Sequence, residues 1–299
     1  SGGDSIVKDG TGKLVLSGMN TYSGTTTVSS GTLIGDTDSL PGNIMNDAIL
    51  RFDQSSNKIF ANSISGSGNF EKTNSGNLTL TGSNSYTGDT TISNGGILTA
   101  GANDALGTSG SINVTDTATY DLSGFTQTAD QIDTATGTDL SLGNGTLTAS
   151  GGTLDGTITG TGTLTKNGTS PLTINNDNSA TWTSGTTNVN DGKVILTNGG
   201  GLGDTSVSID GATLSSGAGI TIGNDIDLDS TNGGTLESTS GTQTYSGILS
   251  GTGANLTKAG SGTVLLDDAN TYDGDTTVSD GTLETSGTGT LSDDTDVTV

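Results

Sequence analysis

Four segments of this 299-residue chain align on a lysine, and that alignment limits the available folds more than any other feature. They start at Lys8, Lys72, Lys166 and Lys258. Six residues after each lysine stands Leu14, Leu78, Leu172 or Val264, and two further on Leu16, Leu80, Ile174 or Leu266. Twelve residues after each lysine there is always an asparagine: Asn20, Asn84, Asn178 and Asn270. Tyr22, Tyr86 and Tyr272 follow; in the third copy Ala180 holds that position and Trp182 comes after a short insertion. A glycine, a threonine-rich step and a β-branched residue (Val28, Ile92, Val189, Val278) close each unit. The lead-in repeats as well, since Ile64 to Lys72 matches Ile158 to Lys166, and Leu249 to Lys258 matches with one inserted residue. Internal repetition on this scale is the mark of stacked, quasi-one-dimensional architectures.

Within the repeats, apolar or glycine positions alternate with small polar ones, which is the period of a strand. Each run is only three to five residues long and is bounded by Gly, Asn or Asp, residues that turn a chain readily. Composition then decides how such strands are assembled. Only 28% of the chain is apolar and 3% aromatic, with 51 glycines, whereas a compact domain has about 45–50% apolar residues. One thick core is out of reach, but a coil that stacks each turn on the last needs only narrow apolar ladders. The expectation is an all-β fold, a single-stranded parallel β-helix or β-solenoid. The lysines are 64, 94 and 92 residues apart, which fits coils of roughly 20–25 residues. At about 4.8 Å per coil, about thirteen coils give a rod about 60 Å long. No stretch holds a helical period. Residues 1–299 read as one continuous β-helix, with decorated coils or loops near 37–62 (Pro41, Met45, Arg51, Phe52) and 116–140 (Phe125, Gln127), where the pattern lapses.

Charge and missing residue types exclude much chemistry. Without His or Cys there is no Ser-His-Asp triad, thiol nucleophile, imidazole or thiolate metal site, or disulfide. Eight basic residues stand against 32 acidic ones, a net charge of −24 that deepens toward the C-terminal third. Such a chain repels phosphate backbones and anionic lipid surfaces, so neither nucleic acid nor a membrane is expected as a partner of this segment. No apolar run approaches the roughly 20 residues of a spanning helix. Ser1-Gly-Gly-Asp is not a signal peptide, and Asp296 to Val299 reads as a strand in progress, so the chain is expected to be a piece of something longer.

The pattern Lys-x-Gly-x-Gly-x-Leu-x-Leu-x-Gly-x-Asn-x-Tyr-x-Gly-x-Thr-Thr-Val-x-x-Gly-x-Leu resembles the passenger-associated repeat of type V autotransporters. The resemblance covers roughly residues 6–36, 62–100, 156–198 and 247–285. It implies a right-handed parallel β-helix, exported through an outer-membrane β-barrel and displayed outside the bacterial cell. The function it implies is an adhesive or structural stalk for surface attachment, autoaggregation or biofilm formation. The third copy departs from the pattern at Ala180, which affects its local turn.

Each recurring residue also has a structural reading. Tyr22, Tyr86 and Tyr272 are expected to cover a corner of the coil beside a glycine rather than to stack on a sugar. Asn20, Asn84, Asn178 and Asn270 are expected at turns, satisfying their own backbone. Lys8, Lys72, Lys166 and Lys258 are expected at strand exits with solvated tips. Asp225, Asp227 and Asp229 alternate and so share one strand face, turned to water if Ile226 and Leu228 point inward; Asp267, Asp268, Asp273 and Asp275 form a second cluster. Both are weak, peripheral Ca²⁺ candidates, because a hard cation wants six to eight oxygens. No cofactor or catalytic residue is assigned, and no enzymatic activity is expected. The competing readings are a polysaccharide-degrading β-helix, which needs two carboxylates in a groove, and an ice- or mineral-binding solenoid built on Thr rows. Homophilic self-association is a further expectation, since neither Ser1–Val7 nor Asp293–Val299 looks like a polar cap over the terminal strand edges; a host-surface or polysaccharide ligand is left unidentified.

Overall fold

A computed structural model describes residues 3–107, 110–291 and 296–299; residues 1–2 and 293–295 of the two cap segments lie outside the described residues. Strands are the only regular elements among the described residues, and the register pairings between them are parallel. The chain divides into two compact units, Ser1–Leu147 and Thr148–Val299.

In the first unit, successive coils bring strands into register about twenty residues apart. Leu78 pairs with Leu98, Leu98 with Tyr120 and Tyr120 with Leu140, in strands Asn77–Leu80, Ile97–Ala100, Thr119–Asp121 and Asp139–Gly143. On another face Leu33, Leu50, Phe70, Thr90, Ile112 and Ile132 form a second inward ladder. These ladder residues are almost entirely removed from solvent, and each large apolar side chain so buried contributes about 1.5–3 kcal/mol. Alternation does the rest: the residue between two ladder positions points outward and is mostly polar, with Ile34, Met45 and Ile59 among the exceptions.

The stretches 37–62 and 116–140, expected as irregular coils, carry strands Ile44–Asn46, Ile49–Asp53 and Lys58–Phe60, and Thr119–Asp121 and Thr126–Thr134, in register with their neighbours. The motif lapses there but the coil does not. Aromatic rings replace aliphatic ladder residues: Phe52 meets Phe60 edge-on at 5.0 Å and Phe70 at 5.7 Å, and Phe70 meets Tyr86 at 5.7 Å.

The second unit repeats the construction. Leu172, Val194, Leu214, Leu236 and Lys258 share one ladder, and Val189, Ile209 and Leu228 another. Thr242–Tyr245, Thr263–Leu266 and Thr282–Thr285 stack on a separate face. Both units are parallel β-solenoids whose apolar interior is a set of one-residue-wide ladders.

Candidate functional site: the lysine-marked coil

The lysine that begins each repeat is not solvated. Lys72, Lys166 and Lys258 are 0% exposed and Lys8 is 5% exposed. The reason lies in the alternation: Lys72 is two residues from Phe70, Lys166 from Leu164, and Lys258 from Leu256, so each lysine is in phase with an inward residue. In the ladders Lys72 sits between Phe52 and Ile92, and Lys258 between Leu236 and Val278.

At the strand exit the chain curls around the ammonium and offers it backbone carbonyls. The Lys258 Nζ donates to the carbonyls of Ala259 (2.9 Å), Gly260 (2.5 Å) and, from the next coil, Asp280 (2.8 Å). Lys8 does the same with Asp9 (3.3 Å), Gly10 (2.6 Å) and Ser30 (2.8 Å). Lys72 reaches Thr73 (2.7 Å), Asn74 (2.5 Å) and Gln54 of the preceding coil (3.4 Å). Lys166 bonds the carbonyls of Gly168 and Asp191, the latter at 3.0 Å. An ammonium has three donors and no acceptor, so a ring of carbonyl oxygens satisfies it without a counter-ion. Burial nevertheless disfavours the charged form: it pushes Lys72 down to about 8, with the Asp53 charge opposing, and lowers Lys166 and Lys258 as well.

The glycine closing each repeat exists because of this cage. Gly31 and Gly281 have φ of 72° and 71°. A Cβ on them would stand 2.6 Å from the Lys8 Nζ and 2.7 Å from the Lys258 Nζ.

The asparagines differ from their expected role in who their partners are. Asn84 Oδ1 accepts from the Ile64 N–H at 2.7 Å, and its Nδ2 donates to the Ala105 carbonyl at 2.7 Å. Those residues lie 20 positions before and 21 after it, so one amide joins three coils. Asn178 bridges Ile158 (2.9 Å) and Gly201 (2.8 Å), and Asn270 bridges Leu249 (2.9 Å) and Thr290 (2.8 Å). Asn20 donates to the Ser39 carbonyl at 2.8 Å.

Tyr86 and Tyr272 are fully buried and Tyr22 is half-buried. Each hydroxyl lies 2.7 Å from the Oγ1 of the threonine four residues on: Thr26, Thr90 and Thr276. Those threonines are themselves buried, and the alignment alone did not mark them as partners. Burial raises both Tyr86 and Tyr272 above the ordinary phenol value. In the third copy Trp182 takes over the space, its Nε1 donating to the Gly162 carbonyl at 3.2 Å.

The carboxylate row behaves as its alternation predicts: Ile226 and Leu228 are buried and Asp225 and Asp227 are exposed. Each carboxylate is used within the coil stack or its turn. Asp225 accepts from the Ile248 N–H (2.9 Å), Asp227 from the Ser250 hydroxyl (3.2 Å), and Asp229 from the N–H groups of Thr231 (2.7 Å) and Asn232 (2.9 Å). The last two bonds hold Asp229 below the usual carboxylate range. Asp267 takes the Ser286 hydroxyl (2.7 Å), Asp268 the Ala269 N–H (2.7 Å) and Asp273 the Gly253 N–H, while Asp275 is exposed. Among the described residues no three Asp or Glu side chains converge in a way that could hold a metal ion.

A buried, carbonyl-caged lysine, a three-coil asparagine and a tyrosine–threonine bond recur at fixed offsets on a parallel β-solenoid. This defines a class of repeat in which the lysine and asparagine hold one coil to the next and the tyrosine fixes the turn within its own coil. Residues 6–34, 70–100, 164–196 and 256–284 match the passenger-associated-transport-repeat family. The chain is also similar to the adhesin BmaC autotransporter of Brucella suis biovar 1 (strain 1330), with 33% identity across 94% of this chain and 10% of that protein. It therefore spans about a tenth of the length of the curated relative it matches. No solved structure matches it. The chain thus carries four matches to the passenger-associated-transport repeat and is similar along most of its length to part of an autotransporter adhesin.

Proposed function

We propose that this chain is an extracellular segment of a bacterial autotransporter, a non-enzymatic β-helical stalk with an adhesive role in surface attachment, autoaggregation or biofilm formation. The observation that carries the reading is the similarity along 94% of the chain to a protein named an adhesin. The chemistry agrees with it. The repeat lysines and asparagines are committed to bonds between coils, and the buried repeat tyrosines to a threonine of their own coil, so the residues that would otherwise suggest reactivity are in use. The sequence carries 32 acidic residues against eight basic ones, and Arg51, Lys58 and Lys193 are paired with Glu71, Asp38 and Glu237.

The test is display of the chain, fused to an outer-membrane barrel, on a bacterium that neither clumps nor attaches. Gain of attachment or of clumping over a spacer of equal length supports the reading. No gain in either assay removes the adhesive role and leaves a spacer. Release of oligosaccharide from a polysaccharide panel, lost on changing one carboxylate, would make the chain an enzyme instead.

A further inference from the structure

One face of the first unit holds an open groove of about 640 Å³. Two outward rows of stacked strands line it. Ile34, Arg51, Glu71 and Thr91 are register partners in the first row, and Asp53 and Thr73 in the second, which Ser93 and Thr115 continue. Five successive strands at about 4.8 Å make it about 19 Å long, room for several linked rings rather than one. Along its side stand three turn residues, Asn74, Asn94 and Asp116.

Those three have φ of 68°, 55° and 52°, a region that costs a non-glycine residue about 1–2 kcal/mol. Asn74 occupies the position that is Gly10, Gly168 and Gly260 in the other three repeats, all with positive φ. The second copy therefore keeps the backbone of the lysine cage and adds a side chain that the other copies lack, on the groove side.

Part of the lining is engaged within the chain: Asn74 Oδ1 accepts from the Ser75 N–H at 2.9 Å and leaves its NH₂ group toward the groove side, Thr73 donates to Asp53 at 3.4 Å, and the Thr115 hydroxyl reaches the Ile92 carbonyl at 3.5 Å. Asp225, Asp89 and Asp47 each accept a hydrogen bond from the next coil. In the groove the side chains of Thr91, Ser93, Asn94 and Asp116 make no hydrogen bond within the chain. The Arg51 guanidinium is fixed by Glu71 at 2.6 Å and keeps further N–H donors to offer.

This inventory selects a ligand. Ile34 is the only apolar side chain in the lining, which disfavours an apolar molecule. Asp53, Glu71 and Asp116 outnumber Arg51, which disfavours an anion. No carboxylates converge there as a metal site. What remains is a neutral molecule that both donates and accepts many hydrogen bonds along an extended line. We propose that the groove binds a neutral oligosaccharide. The inference names a ligand for the adhesive reading above, but it is tested on the purified chain, so the two fail separately.

Calorimetry with short neutral oligosaccharides (glucose, mannose, galactose and N-acetylglucosamine series) is compared with uronic-acid oligomers. Saturable binding of at least one neutral series, little changed between low and high salt, is expected. The Asn74→Gly/Asn94→Gly variant, which suits the backbone at both positions, should keep its circular dichroism and thermal midpoint yet lose at least about tenfold in affinity. Arg51→Gln should do likewise. Absence of binding by every neutral series, preference for the uronic acids, or unchanged affinity in the glycine variant each overturns the proposal. Cell attachment that survives loss of sugar binding leaves the adhesive function standing and removes only this site.

Discussion

The Lys258 Nζ occupies the space in which a side chain on Gly281 would begin, 2.7 Å from the position of its Cβ, with the Gly260 carbonyl oxygen 2.5 Å from that position. The two residues are on successive coils, so the closing glycine of one turn and the opening lysine of the turn below are a single packing unit. Gly281→Ala has to displace the ammonium or the backbone that cages it. Gly219 has nearly the same φ, 75° against 71°, but nothing within 4 Å of its Cβ position.

The comparison of these two glycines is the first prediction. Gly219→Ala should cost only the left-handed backbone penalty, about 1–2 kcal/mol. Gly281→Ala should cost about 3 kcal/mol or more, because overpacking adds to the same backbone term. Equal losses in urea unfolding would mean that the cage tolerates a methyl group and that φ alone selects glycine.

The asparagine bridge gives a charge-dependent test. Asn84→Asp keeps the acceptor for the Ile64 N–H but sets a second acceptor against the Ala105 carbonyl, at a buried site. Ionised, it should destabilise the chain by about 2–4 kcal/mol. The folded state then disfavours the carboxylate, so the acid's folded pKa is raised above its unfolded value near 3.9. Stability lost at neutral pH should return as pH falls through that raised value, when the protonated acid donates to Ala105 again. Measured against wild type, a deficit that does not shrink in acid would show that the Nδ2 bond contributes little.

Tyr86 and Tyr22 make the same 2.7 Å hydroxyl contact in different surroundings, to Thr90 and Thr26 respectively. Tyr86 is fully enclosed, whereas water reaches half-buried Tyr22. Removal of the hydroxyl strands a buried Thr90 oxygen, so Tyr86→Phe is expected to cost about 1–2 kcal/mol. Tyr22→Phe is expected to cost less than about half of that, since solvent can replace the lost partner. Thermal midpoints of the two variants check the ordering.

Much of the architecture was legible because a ladder needs only local alternation. Leu78 and Leu80 announce their inward face within one strand, and Asp225 and Asp227 their outward one. The lysines were legible by the same rule, since Lys72 follows Phe70 at the strand period; the prior that lysine tips seek water outweighed that phase. Asn84 was not legible, because its partners Ile64 and Ala105 lie a full coil away on either side and the motif contains neither. The Arg51–Glu71 groove was hidden for a similar reason. It forms only when five strands from Thr32 to Val114 come into register, across the very stretch where the repeat motif lapses.

Lys72 provides the last test, through its proton. Burial holds it at about 8 in the folded chain, while an unfolded lysine titrates near about 10.4. Between those values the unfolded state binds more protons, so the contribution of Lys72 to stability rises with pH across that window and is flat below it. Lys72→Met removes the titration and leaves the Thr73 and Asn74 carbonyls facing a thioether. At pH 7 the variant should be less stable, by about 1–3 kcal/mol, because orphaned carbonyls outweigh the relief of burying no charge. From pH 8 upward its deficit relative to wild type should widen, as the wild type sheds a buried charge and the variant has none to shed. Urea unfolding of both proteins from neutral to about pH 10 measures this difference directly. A deficit that stays constant would mean that the carbonyl ring offsets the whole desolvation of the ammonium, and that the lysine is held as a permanent cation in the solenoid wall.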